Sequence, residues 1–269
     1  MKESTKPYTL NAKQIYLLKL IYKFRFVTVS LLSRYKGLKR CDSVSEALEI
    51  LLKRDYIGKR YDKSYKLLGK GAAYYLASDG RKLLGKEYNF NKNALHTMYS
   101  NNTVREDFVD KQIDILRLSL ALRNSYPNTF DLFTKTELGD YDYFPSPPPD
   151  LYINRLKRAD EAENEYLLEV LGNNQLFVYI KRIKQYIEHY ESGDWEASTK
   201  SEYPTVLLIC PSVKVEQRIQ EEINKILTNM GMDDEIFFYT TTLKAVLNSN
   251  VNNRKVWSDV FEPEKLLSL

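Results

Sequence analysis

The chain has 269 residues, 43% hydrophobic and 28% charged, a balance that describes a globular protein long enough for two ordinary domains. No run of about eighteen apolar residues occurs, which excludes a membrane-spanning helix. The polar start Met1-Lys2-Glu3-Ser4-Thr5-Lys6 leads into an amphipathic stretch rather than a secretory leader, so the expected location is the cytoplasm. The net charge of +4 conceals an asymmetry, because residues 1–90 hold 20 Lys and Arg against 8 Asp and Glu while the remainder holds 20 against 28. A basic front joined to an acidic rear points to a nucleic-acid-binding module attached to something else. Cys41 and Cys210 lack paired spacing, which removes a zinc knuckle and a disulfide framework.

From Asn11 to Phe24, residues Ile15, Leu17, Leu18, Ile21, Tyr22 and Phe24 cover one broad helical face, with Asn11 as N-cap. Thr28 or Ser30 opens a short second helix through Leu31, Leu32 and Tyr35, which stops at Gly37. A third helix is capped by Asp42 or Ser43; Ser43 and Glu46 have capping-box spacing, and Val44, Ala47, Leu48, Leu51 and Leu52 form its inward stripe. Tyr56–Tyr61 and Gly71–Leu76, joined by a polar turn, predict a hairpin. Three short helices and a hairpin look like a winged helix-turn-helix, and the closing Tyr74-Tyr75-Leu76-Ala77-Ser78-Asp79-Gly80 resembles the strand-to-helix exit of bacterial regulators with that fold.

In such folds the third helix meets base edges in the major groove and basic wing residues touch phosphates. Lys39, Arg40, Ser43 and Ser45 are therefore candidates for the groove, and Lys59, Arg60, Lys63 and Lys66 for phosphate contacts with double-stranded DNA. The competing reading makes these lysines a solubilising surface on a fold used for protein contacts, but the charge excess over residues 1–90 is more than solubility requires. Glu46 and Glu49 on the outer face of the third helix work against tight phosphate contact there. The polar, asparagine-rich segment 89–102 reads as a linker between a DNA-binding domain over 1–88 and a second domain over 103–269. His96, alone in that segment, reads as an incidental or helix-capping residue rather than a ligand.

The rear half alternates. Thr103–Leu122 is a predicted helix with Glu106 near its start, Thr129–Leu138 a strand candidate, and Ser146–Pro149 a break before the strand that carries Asp150. Glu165–Leu171 is a second short apolar run carrying Glu169, then comes a helix over Leu176–Tyr190, a doubly covered strand Thr205–Cys210, a long helix Val213–Met230, a strand Ile236–Thr240, and a tail with a helix from Leu243 and an aromatic end around Trp257 and Phe261. Two short strands with one carboxylate each, beneath a following helix, outline a hard-metal site in which Asp150 and Glu169 would hold Mg²⁺ or Mn²⁺. Such carboxylates are more often turn formers or partners in surface ion pairs, and it is the order of the surrounding elements that favours the metal reading.

The order helix, three strands, helix, strand, with Pro149-Asp150 on one strand and Glu169-Val170 on the next, resembles the restriction-endonuclease-like nucleases known by their Pro-Asp…Asp/Glu-x-Lys motif. With the front domain, Leu95-His96, Pro-Asp-Leu-Tyr-Ile and Leu-Leu-Glu-Val, residues 10–210 look like the replication-relaxation proteins of plasmids and mobile elements. The resemblance implies an α/β chain (α+β overall): a winged helix-turn-helix followed by a restriction-endonuclease-like mixed sheet flanked by helices. It also implies a role in replication initiation and catalytic roles for Asp150, Glu169 and Glu106.

One departure bears on cleavage. Leu171 stands where the motif has its lysine, and Lys184, or less readily Lys181, is the candidate to reach the site from the next helix; both also read as exposed helix residues. An active site would hydrolyse a phosphodiester through the metal. The rival reading is a transcriptional regulator whose rear domain is an inactive dimerisation or protein-binding scaffold, with a homodimer left open. A phosphotyrosine-forming relaxase fits poorly, because His96 and His189 are two histidines where such enzymes resemble one another in using three.

Overall fold

The structure is a computed structural model that describes residues 9–156 and 164–269. The chain divides into two compact units, Met1–Ile113 and Asp114–Leu269.

The first unit opens with α1 (Ala12–Phe24), whose Asn11 cap and Gln14 form a reciprocal capping box. Helix α2 (Val29–Tyr35) is capped by Thr28, and the chain leaves it through Gly37 at φ +68°, a left-handed conformation that favours glycine. In α3 (Asp42–Lys53) the sequence expectation fails in one respect: Cys41 is the N-cap and no side chain caps it. Because the helix starts at Asp42, Ser43 lies inside the first turn, where it cannot close a box with Glu46.

The hairpin forms as β1 (Ile57–Arg60) paired antiparallel with β2 (Ala73–Leu76), and Val27 bridges Tyr74 on the other side. Its connection is not a bare polar turn. Asp62 accepts from the Ser64 and Tyr65 amides and starts a helix, α4 (Lys63–Leu67). Helix α5 (Ser78–Glu87) follows, and its Gly80 is required by contact, since a Cβ there would stand 2.1 Å from the Tyr56 carbonyl oxygen. Leu17, Leu18, Ile21, Phe24, Leu32, Val44, Leu48 and Leu51 are buried, as the helical stripes predict.

Segment 89–102 is not a linker. It folds as α6 (Lys92–Thr97) and a 3₁₀ turn over Met98–Asn102, with Leu95 and Met98 buried and Arg25 donating to the Thr97 carbonyl and the Asn101 side chain. Most of its polar residues are exposed around the buried Leu95, Met98 and Asn101, and the division falls instead within α7 (Glu106–Ser125).

The second unit is built on a mixed sheet of seven strands in sequence order among the described residues. After β3 (Phe130–Thr134) a short helix α8 (Lys135–Leu138) replaces the end of the predicted strand. Then come β4 (Leu151–Arg155), β5 (Glu165–Val170), α9 (Leu176–Ser192), α10 (Asp194–Thr199), β6 (Thr205–Cys210), α11 (Val213–Met230), β7 (Phe238–Thr242), α12 (Leu243–Leu247), β8 (Trp257–Asp259) and β9 (Leu266–Leu267). Strands β5, β6 and β7 run parallel, and the flanking pairs are antiparallel.

Alternation sends Leu167, Val206, Leu208, Cys210 and Phe238 into one core with Ile183, Ile187, Ile219, Ile223 and Leu227 of α9 and α11. Leu168, Leu207 and Ile209, facing the other way, are equally buried, which explains why β6 reads as a continuous apolar run. Among the described residues no helix is long and apolar enough to cross a membrane.

Candidate functional site

Asp150 lies immediately before β4, where the register Leu151↔Leu168, carried one residue further, sets it opposite Glu169 of β5. Both carboxylates are buried. Asp150 Oδ2 accepts from the Val170 amide at 2.8 Å, which ties the start of β4 to the end of β5. Glu169 shares a face with Leu167 and Leu171 and so points at α9.

What meets Glu169 there is Arg182. Glu169 Oε2 accepts from Arg182 Nε at 2.9 Å and from the Tyr186 hydroxyl at 3.0 Å, with Arg182 Nη2 2.8 Å away in the same ion pair. Arg182 Nη2 also donates to the Tyr186 oxygen at 2.9 Å, one helical turn along. Burial works to lower the Arg182 pKa, but Tyr186, Glu169 and Asp150 outweigh it and hold the guanidinium above its ordinary value. Burial first, and then the Glu169 charge, push the Tyr186 phenol well above its ordinary value. Asp150 acts on both groups, so these four residues form one electrostatic cluster.

Part of this donor set is already engaged: one Glu169 oxygen takes Arg182 Nε and the Tyr186 hydroxyl, with Arg182 Nη2 in ion-pair contact, and one Asp150 oxygen takes a backbone amide, which works against Mg²⁺ or Mn²⁺. A fixed guanidinium beside the pair repels a second cation. Among the described residues no group of three or more His, Cys, Asp or Glu side chains converges.

The other residues predicted for this site lie elsewhere. Lys184 and Lys181 are exposed on the outer face of α9, beside Phe177, Ile180 and Glu188. Leu171, at the motif's lysine position, is buried among apolar neighbours where a lysine would be costly. Glu106 belongs to the first unit and accepts from Arg60 and, at 2.7 Å, from the Tyr65 hydroxyl. Sequence reasoning missed Arg182, although a charged residue in the stripe Tyr179, Arg182, Ile183, Tyr186 was the available signal.

In the first unit, Lys39 and Arg40 are exposed just ahead of α3, with Arg40 paired to Asp42 at 2.9 Å, and Ser43 and Ser45 are half-buried in its first turns. Lys59 sits 3.7 Å from Glu49 and over the rings of Tyr61 and Tyr74. Lys63 and Lys66 are exposed with no carboxylate partner among the described residues. Arg60, in β1 of the hairpin, has its guanidinium engaged: Nη1 donates to the Val104 carbonyl at 2.7 Å and Nη2 to Glu106, so it fastens the hairpin to the start of α7.

No family model matches the chain, and no curated protein does. Among solved structures, the restriction endonuclease FokI aligns over 87% of this chain and 43% of its own, at a TM-score of 0.35 and 11% identity. A likeness at that level fixes neither fold nor activity. The chain spans less than half of FokI's length.

Proposed function

We propose that the chain binds double-stranded DNA through its first unit, used as a winged helix-turn-helix, and that its second unit is a nuclease-like scaffold that does not cleave. The lysines around the hairpin support the first part: Lys63 and Lys66 stand exposed without carboxylate partners among the described residues, within residues 1–90, which hold 20 basic against 8 acidic residues. The observation that carries the second part is the Arg182 guanidinium on Glu169, which already supplies the positive charge a metal would bring. Replication initiation on a mobile element and transcriptional regulation both fit a protein of this kind.

Supercoiled plasmid incubated with the protein and Mg²⁺ or Mn²⁺ tests the reading. Retarded but uncut DNA, with no metal-dependent rise in melting temperature, is the expected result. Metal-dependent nicking that Asp150→Asn removes would overturn the scaffold assignment.

A further inference from the structure

The hairpin of the first unit carries more chain than is needed to join two antiparallel strands, and the extra segment is held firmly. Asp62 caps α4, Tyr65 is buried with its hydroxyl on Glu106 at 2.7 Å, and Lys70 Nζ meets both Asp110 oxygens at 2.6 and 2.7 Å. What this anchored segment presents is apolar. Leu67 and Leu68 are 87% and 68% exposed. Scattered exposed leucines are ordinary, but two adjacent ones at the end of a fixed helix form a small apolar tip.

The rim of that tip is cationic. Lys66 and Lys59 place their ammonium groups 5.7 and 5.8 Å from the centre of the Tyr61 ring, and Lys63 is exposed one turn before Leu67. Like charges gathered at Lys63 and Lys66, without acidic partners among the described residues, are complementary to a polyanion.

We propose that Leu67 and Leu68 form an apolar wedge that enters the minor groove of duplex DNA, while Lys63 and Lys66 hold the flanking phosphates. The proposal rests on the DNA-binding reading above. Phosphates satisfy the lysines but offer nothing to a leucine, whereas the sugar walls and base steps of the minor groove accept apolar side chains that partly unstack a step and bend the duplex. The anchoring of α4 lowers the cost, since the wedge is ordered before it binds. Pyrimidine–purine steps, which kink easily, are the sequences such a wedge favours.

The test uses the full chain and two duplexes of equal length, one with central TA steps and one with a stiff A-tract, each end-labelled so that energy transfer reports bending. Wild type is expected to bind the TA duplex more tightly and to bend it. The double variant Leu67→Ala/Leu68→Ala should lose the bend and roughly tenfold or more in affinity on that duplex, the scale expected when exposed leucine surface is no longer buried. Its melting temperature should be unchanged, because both side chains are exposed. A variant that binds and bends as wild type does overturns the wedge and leaves the DNA-binding reading standing. A wild type that binds neither duplex overturns both.

Discussion

Glu169 and Arg182 expose 12% and 9% of their side chains, so neither charge can reach water while α9 stays packed on β5. Arg182→Ala strands a buried carboxylate and is expected to cost about 3–5 kcal/mol of unfolding free energy in urea. The apolar pair Glu169→Leu/Arg182→Met should recover most of that loss; a pair as unstable as the single variant would show that the stranded carboxylate is not the source of the loss. His189 sets a pH dependence in the same unit, with Tyr203 and the Tyr143 carbonyl on its two ring nitrogens. Burial lowers its pKa, opposed by the Tyr143 bond and Asp194 and aided by Arg182. The folded state thus prefers neutral imidazole, and this contribution is present above about pH 6.5 and lost as pH falls through the lower folded value. Melting temperature should drop on acidification through that window, and His189→Gln should flatten the drop. At this scale the sequence expectation that Asp150 and Glu169 stand on neighbouring strands agrees with the register, which sets one opposite the other. The sequence did not show Arg182, whose role depends on which face of α9 lies inward.

The long elements were legible, and three of the short helices were not. Helix α11 and strand β6 fall on the expected residues, since eighteen and six residues are enough to display a period. Helices α4, α8 and α10, of five, four and six residues, are too short to display one and are set by local caps and by tertiary contact. The start of α3 separates cap from sequence signal in a measurable way. Ser43→Ala should change stability by less than about 0.5 kcal/mol because no cap bond is lost. Asn11→Ala removes a capping box made at 2.9 Å and should cost about 1 kcal/mol. Equal losses at the two positions would mean that Ser43 caps α3 after all.

For the whole molecule the uneven charge is the dominant fact: the basic excess over residues 1–90 faces an acidic excess in the rest, so the chain carries a cationic module on an anionic support. The division into two units was legible as a charge change, but its position was not, because the polar residues of 89–102 conceal Leu95 and Met98 as anchors. The measurement that tests the central claim most directly is the affinity for a duplex at several salt concentrations. Binding should weaken steeply with salt, and Lys63→Ala/Lys66→Ala should reduce the slope of log K against log salt by about 1.8, or ~0.9 for each phosphate no longer neutralised. An unchanged slope in the double variant, or no duplex binding at low salt by the intact chain, would contradict the account.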